Sequence, residues 1–158
     1  MKFTANTAGS TIALSNNNGN APDIKYSRDG INWAQWDYSV ITLTNAGDYI
    51  YMKGNNSQGF ASSYSKYSRF VMTGSIACSG NIMSLIDNGK CQTLTIPCNY
   101  CFCKVFYNCS SLTSAPELPA TTLANSCYYY MFYGCSSLTS APELPATTLV
   151  DYCYYYMF

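Results

Sequence analysis

Histidine is absent from this 158-residue chain. That removes the commonest general base and the commonest transition-metal ligand. Charge is scarce too: charged residues make up 10% of the chain, against about a quarter in ordinary domains. The 8 basic and 8 acidic residues cancel to a net charge of zero. A neutral chain lacks the electrostatic footprint of a nucleic-acid binder, so no nucleic acid is expected as a partner. No apolar run approaches the ~20 residues that span a bilayer, so membrane insertion is not expected. The opening MKFTANTAGSTIAL has no apolar core and reads as no secretory signal peptide. No nucleophile–base pair or cofactor motif is visible. The chain reads as a non-enzyme without cofactors.

Two residue types are in excess, with 9 cysteines and 16 tyrosines. At 48% hydrophobic the chain can bury a core. An internal repeat places much of the excess. Residues 109–132 read CSSLTSAPELPATTLANSCYYYMF and residues 135–158 read CSSLTSAPELPATTLVDYCYYYMF, identical at 21 of 24 positions with a period of 26. Repeats of this length belong to stacked arrays, in which each unit buries its apolar face against its neighbours. A degenerate unit over 91–108 precedes them. Cys91-Gln92-Thr93-Leu94-Thr95 aligns with Cys109-Ser110-Ser111-Leu112-Thr113, and 101–109 (CFCKVFYNC) aligns with 127–135 (CYYYMFYGC). The degenerate unit lacks the proline-rich stretch, which marks that stretch as a loop. The last unit is truncated, so its outer side is expected to take further repeats or another subunit.

Within a unit, Leu112, Ala115 and Leu118 are spaced by three, with Pro116 and Pro119 between. Prolines there forbid a helix interior and favour a short strand followed by a corner. Residues 127–132 suit one helical or 3₁₀ turn, and Gly134 stands where a turn ends.

The arrangement Phe132-Tyr133-Gly134-Cys135-Ser136-Ser137-Leu138, matched by Phe106-Tyr107-Asn108-Cys109-Ser110-Ser111-Leu112, resembles the leucine-rich repeats of the BspA-like family of bacterial surface proteins. The resemblance covers roughly residues 84–158. It implies a short leucine-rich-repeat solenoid, bacterial surface display and adhesion. The inserted Pro-Glu-Leu-Pro makes these units longer than the family's usual one.

Residues 1–80 show no repeat and hold both tryptophans and most of the basic residues. Short apolar segments alternate with turn chemistry. Ile24–Ser27 and 31–33 flank Arg28-Asp29-Gly30; 40–43 and 49–52 flank Asn45-Ala46-Gly47-Asp48; 70–76 and 82–86 flank Gly80-Asn81. Each pattern predicts a hairpin. Together they predict an antiparallel β-sandwich over 1–80, joined to leucine-rich repeats over 81–158 with short helical or 3₁₀ turns, in a mainly β chain.

The repeat register sorts the cysteines. Cys91, Cys109 and Cys135 share one position; Cys101, Cys127 and Cys153 share another. A structural ladder of buried thiols is the favoured reading. A disulfide between rungs and a metal at Cys98-x-x-Cys101-x-Cys103 are the alternatives. Glu117 and Glu143 also share one position. Duplication gives them the same environment, whereas acid–base pairs need different ones, so they read as solvated loop charges.

Tyr128-Tyr129-Tyr130 recurs as Tyr154-Tyr155-Tyr156. Three consecutive aromatics in a turn cannot all point inward, so stacked units should display a tyrosine stripe. Tyrosine brings large contact area at low entropic cost, which suits a protein or glycan ligand. The expected function is non-catalytic binding or adhesion at a cell surface, outside the cell or on a virion such as a phage tail. An assembly module that stacks on another subunit is the alternative.

Overall fold

A computed structural model describes residues 1–158. The chain is mainly β, with ten strands in two sheets. They are β1 (Lys2–Ala5), β2 (Ser10–Asn17), β3 (Ile24–Ser27), β4 (Ala34–Gln35), β5 (Ile41–Leu43), β6 (Tyr49–Gly54), β7 (Ala61–Ser63), β8 (Lys66–Thr73), β9 (Ile76–Ser79) and β10 (Leu112–Ser114). The six-stranded sheet runs β10-β9-β1-β6-β3-β4, and the four-stranded sheet runs β5-β2-β8-β7. All pairs are antiparallel except β9 with β10. No helix is long and apolar enough to cross a membrane.

Alternation decides which face each strand buries. On β8, Ser68, Phe70 and Met72 are buried while their neighbours are less so; on β6, Ile50 and Met52 are buried. The two sheets meet through these residues. Phe3 of β1 lies edge-on to Phe70 of β8 at 5.2 Å, and Trp36 stacks on Phe70 at 6.3 Å.

The predicted turns form, but all three strand partnerships differ from the expected ones. Asn45-Ala46-Gly47-Asp48 does not close a hairpin. β5 pairs with β2 in one sheet, while β6 pairs with β1 and β3 in the other. The turn is tied to β1 instead: Gly47 N–H donates to Ala5 O at 2.8 Å, and Ala5 N–H donates to Asp48 O at 2.9 Å. Residues 82–86 are not a strand either. Ile82–Leu85 is a 3₁₀ helix capped by Asn81, whose side-chain oxygen accepts from Met83 N–H at 2.8 Å. All four of its residues are buried, a pattern without the period of two that a strand would show. The Arg28-Asp29-Gly30 turn does bring β3 back on itself, but the returning strand is Ala34–Gln35, not 31–33. Asp29 organises the turn by accepting from Ile31 N–H and Asn32 N–H, each at 2.8 Å. These bonds, led by the Asn32 backbone N–H, hold its carboxyl well below the usual carboxylate range.

Beyond β9 most of the chain is turn and extended backbone. The strand expected to open each repeat forms at β10 alone; one unit on, Thr139 N–H still reaches Thr113 O at 3.4 Å. Residues 98–109, 124–135 and 150–158 each make a run of overlapping turns, and their hydrogen bonds follow one rule. Odd-numbered N–H groups close turns three residues back, as Val105 does on Phe102 O and Met131 on Tyr128 O, at 3.2 and 3.1 Å. Even-numbered N–H groups donate to the next run. Phe102 reaches Cys127 O at 2.8 Å, Tyr128 reaches Cys153 O at 3.0 Å, and Phe132 reaches Met157 O at 2.7 Å.

A left-handed residue recurs at every fourth position: Tyr100, Lys104 and Asn108, then Ser126, Tyr130 and Gly134, then Tyr152 and Tyr156. Lys104, Asn108, Ser126, Tyr130 and Gly134 each fall at the third position of a hydrogen-bonded turn, where a type II turn needs positive φ. For a non-glycine residue that conformation costs about 1–2 kcal/mol.

The sheets supply the layer on which the first run sits. Phe60 N–H donates to Cys101 O at 2.7 Å and Phe70 N–H to Val105 O at 2.8 Å, the roles that Phe102 and Phe106 play one layer further on. One cluster of 36 buried residues extends from Met1 to Met157.

Candidate functional site

The four-residue period sorts side chains into pairs. Residues 101, 102, 105, 106 and 109 are buried, and so are 127, 128, 131, 132 and 135. The pairs between them face outward, apart from Cys103, which is also buried. Of the three consecutive tyrosines in each unit, the first therefore points in and the next two point out.

The inward aromatics form two ladders. Phe60, Phe102, Tyr128 and Tyr154 stack at 6.0, 5.8 and 5.7 Å between successive centroids. Phe70, Phe106, Phe132 and Phe158 stack at 5.4, 5.5 and 5.7 Å. Each such pair contributes about 0.5–1.5 kcal/mol beyond its area burial. Tyr128 is only 1% exposed, and its hydroxyl finds no hydrogen-bond partner. Burial pushes its phenol far above the usual range, and pushes Tyr154 up to about 12. These two expected ligand residues thus lie beneath the surface (Tyr128) or half-buried in the stack (Tyr154).

Tyr129, Tyr130, Tyr155 and Tyr156 make the outward surface. Tyr129 stacks on Tyr155 at 5.2 Å and Tyr130 on Tyr156 at 5.2 Å. Tyr129 meets Tyr130 at 4.7 Å, and Tyr155 meets Tyr156 at 4.6 Å. The surface extends through residues not singled out from sequence. Tyr133 lies 5.1 Å from Tyr130 and stacks on Tyr107 at 5.7 Å, and Tyr107 meets Tyr67 of β8 at 6.4 Å. Lys104 sets its ammonium over Tyr67, Tyr107 and Tyr130 at 4.6, 5.1 and 5.7 Å. Such cation–π contacts contribute about 0.5–1 kcal/mol each at exposed sites. The signal for this surface was present in CYYYMFYG as pairs alternating in and out, which a helix-or-strand reading does not look for.

The thiols are all free, and all but Cys91 and Cys98 are buried. Cys109 Sγ donates to Phe70 O at 3.1 Å, and Cys135 Sγ donates to Phe106 O at 3.1 Å, the same bond one layer on. Cys101, Cys127 and Cys153 occupy the second row, where Cys127 Sγ points to Cys153 O at 3.9 Å. Cys91 stands outside these rows. It is exposed, has φ +54°, and donates its N–H to Asp87 Oδ1 at 3.0 Å. The residue beside Leu112 in the preceding layer is Ile76 of β9, not Leu94. Desolvation raises Cys109 and Cys127 to about 12 and Cys135 to about 11. These thiols are protonated at neutral pH, which leaves them inert as nucleophiles. No group of three or more Cys, Asp or Glu side chains converges to hold a metal ion.

Glu117 and Glu143 line one cleft with Pro116, Pro119, Pro142 and Pro145, and both are exposed. Comparison of the chain with protein-family models, with curated proteins and with solved structures finds no match.

Proposed function

We propose that this chain is a non-catalytic binding or adhesion protein that presents its tyrosine surface to a protein or glycan ligand. In this reading strands β1–β9 form a β-sandwich over 1–80, to whose edge β10 adds a strand from the repeats. The turn runs are the coils of a short leucine-rich-repeat solenoid of the BspA-like kind, and the protein works on a bacterial surface or a phage particle. The observation that carries it is the continuous array of Tyr67, Tyr107, Tyr129, Tyr130, Tyr133, Tyr155 and Tyr156. Amphipathic rings with few rotatable bonds are what recognition surfaces use, and exposed aromatic patches of this kind mark interaction sites.

The test is retention of the full chain on immobilised mucin, as isolated and after removal of its glycans. Tyr130→Ser with Tyr156→Ser should abolish retention, while Tyr49→Ser on β6 should leave it intact. No retention on either form, or retention indifferent to the Tyr130/Tyr156 pair, would count against the proposal.

A second reading, an assembly module, is favoured by the outer side of residues 135–158. Leu144 and Leu149 are exposed there, and the N–H groups of Tyr152, Tyr154 and Tyr156 donate to no other backbone group. Sedimentation that shifts to higher mass with concentration would favour it.

A further inference from the structure

Beside the flat tyrosine array lies a hollow of about 270 Å³, bounded by Tyr64, Tyr100, Ser126, Tyr129, Tyr152 and Tyr155. Two parts of the chain build it. Tyr64 comes from the tight connection between β7 and β8, and the other five from the turn runs. Tyr100, Ser126 and Tyr152 are equivalent residues of three successive layers, and each is left-handed, with φ of 57°, 57° and 55°. Tyr129 and Tyr155 stack at 5.2 Å along one side, and Tyr152 stands edge-on to Tyr155 at 5.4 Å.

Two features define the ligand. The lining holds no charged side chain, so a ligand with a formal charge would find no counter-ion among its walls. Aromatic faces alternate with hydroxyls, those of five tyrosines and of Ser126, a residue only 5% exposed. A pyranose ring matches both. Its axial hydrogens make an apolar face that stacks on an aromatic ring, and its equatorial hydroxyls meet hydroxyl partners around the rim. A quaternary ammonium would also stack, but it would leave the hydroxyls of the lining without partners.

We infer that the hollow bounded by Tyr64, Tyr100, Tyr129, Tyr152 and Tyr155 over Ser126 binds one neutral pyranose ring of a glycan. This rests on the proposed binding function and narrows it to a ligand class and a place. The full chain is titrated with maltotriose, mannotriose and triacetylchitotriose, with sialyllactose as the charged comparison. Tyrosine fluorescence and saturation-transfer NMR are the readouts. At least one neutral trisaccharide should saturate at millimolar concentration. Tyr152→Ala should weaken it about tenfold, and Tyr155→Phe, which keeps the ring, should weaken it less. Tyr49→Ala should leave it unchanged. Three results would overturn the inference: no neutral sugar saturates, only sialyllactose binds, or binding survives both Tyr152→Ala and Tyr155→Ala. If the sugars fail while Tyr130→Ser with Tyr156→Ser still abolishes retention on mucin, the broader function stands and the pyranose site falls. If both fail, both fall.

Discussion

Phe70, on a strand of the four-stranded sheet, and Phe106, in the first turn run, stack with centroids 5.4 Å apart and planes 20° apart. The next pair, Phe106 and Phe132, belongs wholly to the repeats and keeps nearly the same spacing, 5.5 Å. The sheet therefore acts as the first layer of the stack, and the aromatic ladders carry the core from one architecture into the other.

Phe106→Ala should expose how the two halves depend on each other. Phe106 is fully buried between Phe70 and Phe132. Removing a buried phenyl costs about 3–5 kcal/mol. Because the ladder is shared, the methyl resonances of Met131 and Met157 in the repeats and the tryptophan fluorescence of residues 1–80 should lose stability together in a urea titration. Separate transitions, with only the repeat resonances displaced, would show that the halves do not share this core.

Tyr128→Phe should be a stabilising change. The buried hydroxyl has no partner, and an unsatisfied buried polar group costs about 1–3 kcal/mol. Phe102 already fills the equivalent place one layer earlier. A gain of about 1 kcal/mol in the denaturant midpoint analysis is expected; a loss would mean that the hydroxyl is satisfied in solution.

How much of this was legible beforehand depends on the range of the interaction. The 26-residue period was plain, and it set 101–109 beside 127–135, whose Phe102–Tyr128 and Phe106–Phe132 rings stack. The Cys91-x-x-Leu94 likeness to Cys109-x-x-Leu112 misled, because a four-residue match carries no information about which segment lies alongside. The sheet edge at Ile76 holds that place. The same limit explains Asn45-Ala46-Gly47-Asp48. A turn's residues specify the turn, but whether the flanking strands pair with each other depends on distant competitors, here β1 and β2. Which tyrosines face out was hidden for another reason. A period of four built from alternating turns belongs to neither template, 3.6 or 2, by which faces are usually read.

Stability should decline in alkali. An ordinary cysteine ionises near 9.0, while buried Cys109 and Cys127 ionise at about 12. Below pH 9 both folded and unfolded thiols are protonated and contribute no pH dependence. Between about 9 and 12 the unfolded chain sheds protons that the folded chain retains, so the stability these thiols contribute is lost as pH rises. Urea titrations should give a stability that falls as pH rises above about 9. In the native state iodoacetamide should modify Cys91 and Cys98 and leave the seven buried thiols untouched.

Gly134→Ala should destabilise the repeats. Gly134 has φ +75°, and an added Cβ would run into the Asn108 side-chain oxygen. The backbone penalty alone is about 1–2 kcal/mol. The lysine at the corresponding place one turn earlier and one layer down, Lys104, shows that the fold tolerates that penalty where nothing obstructs the side chain. A lower midpoint with the far-ultraviolet spectrum unchanged is the expected outcome; an unchanged midpoint would contradict the left-handed assignment.

The most direct test of the shared stack is the set of nuclear Overhauser contacts made by the Phe106 ring in the full chain. The account predicts contacts to Phe70 on one side and to Phe132 on the other. Contacts to Phe132 alone, or to neither ring, would contradict it.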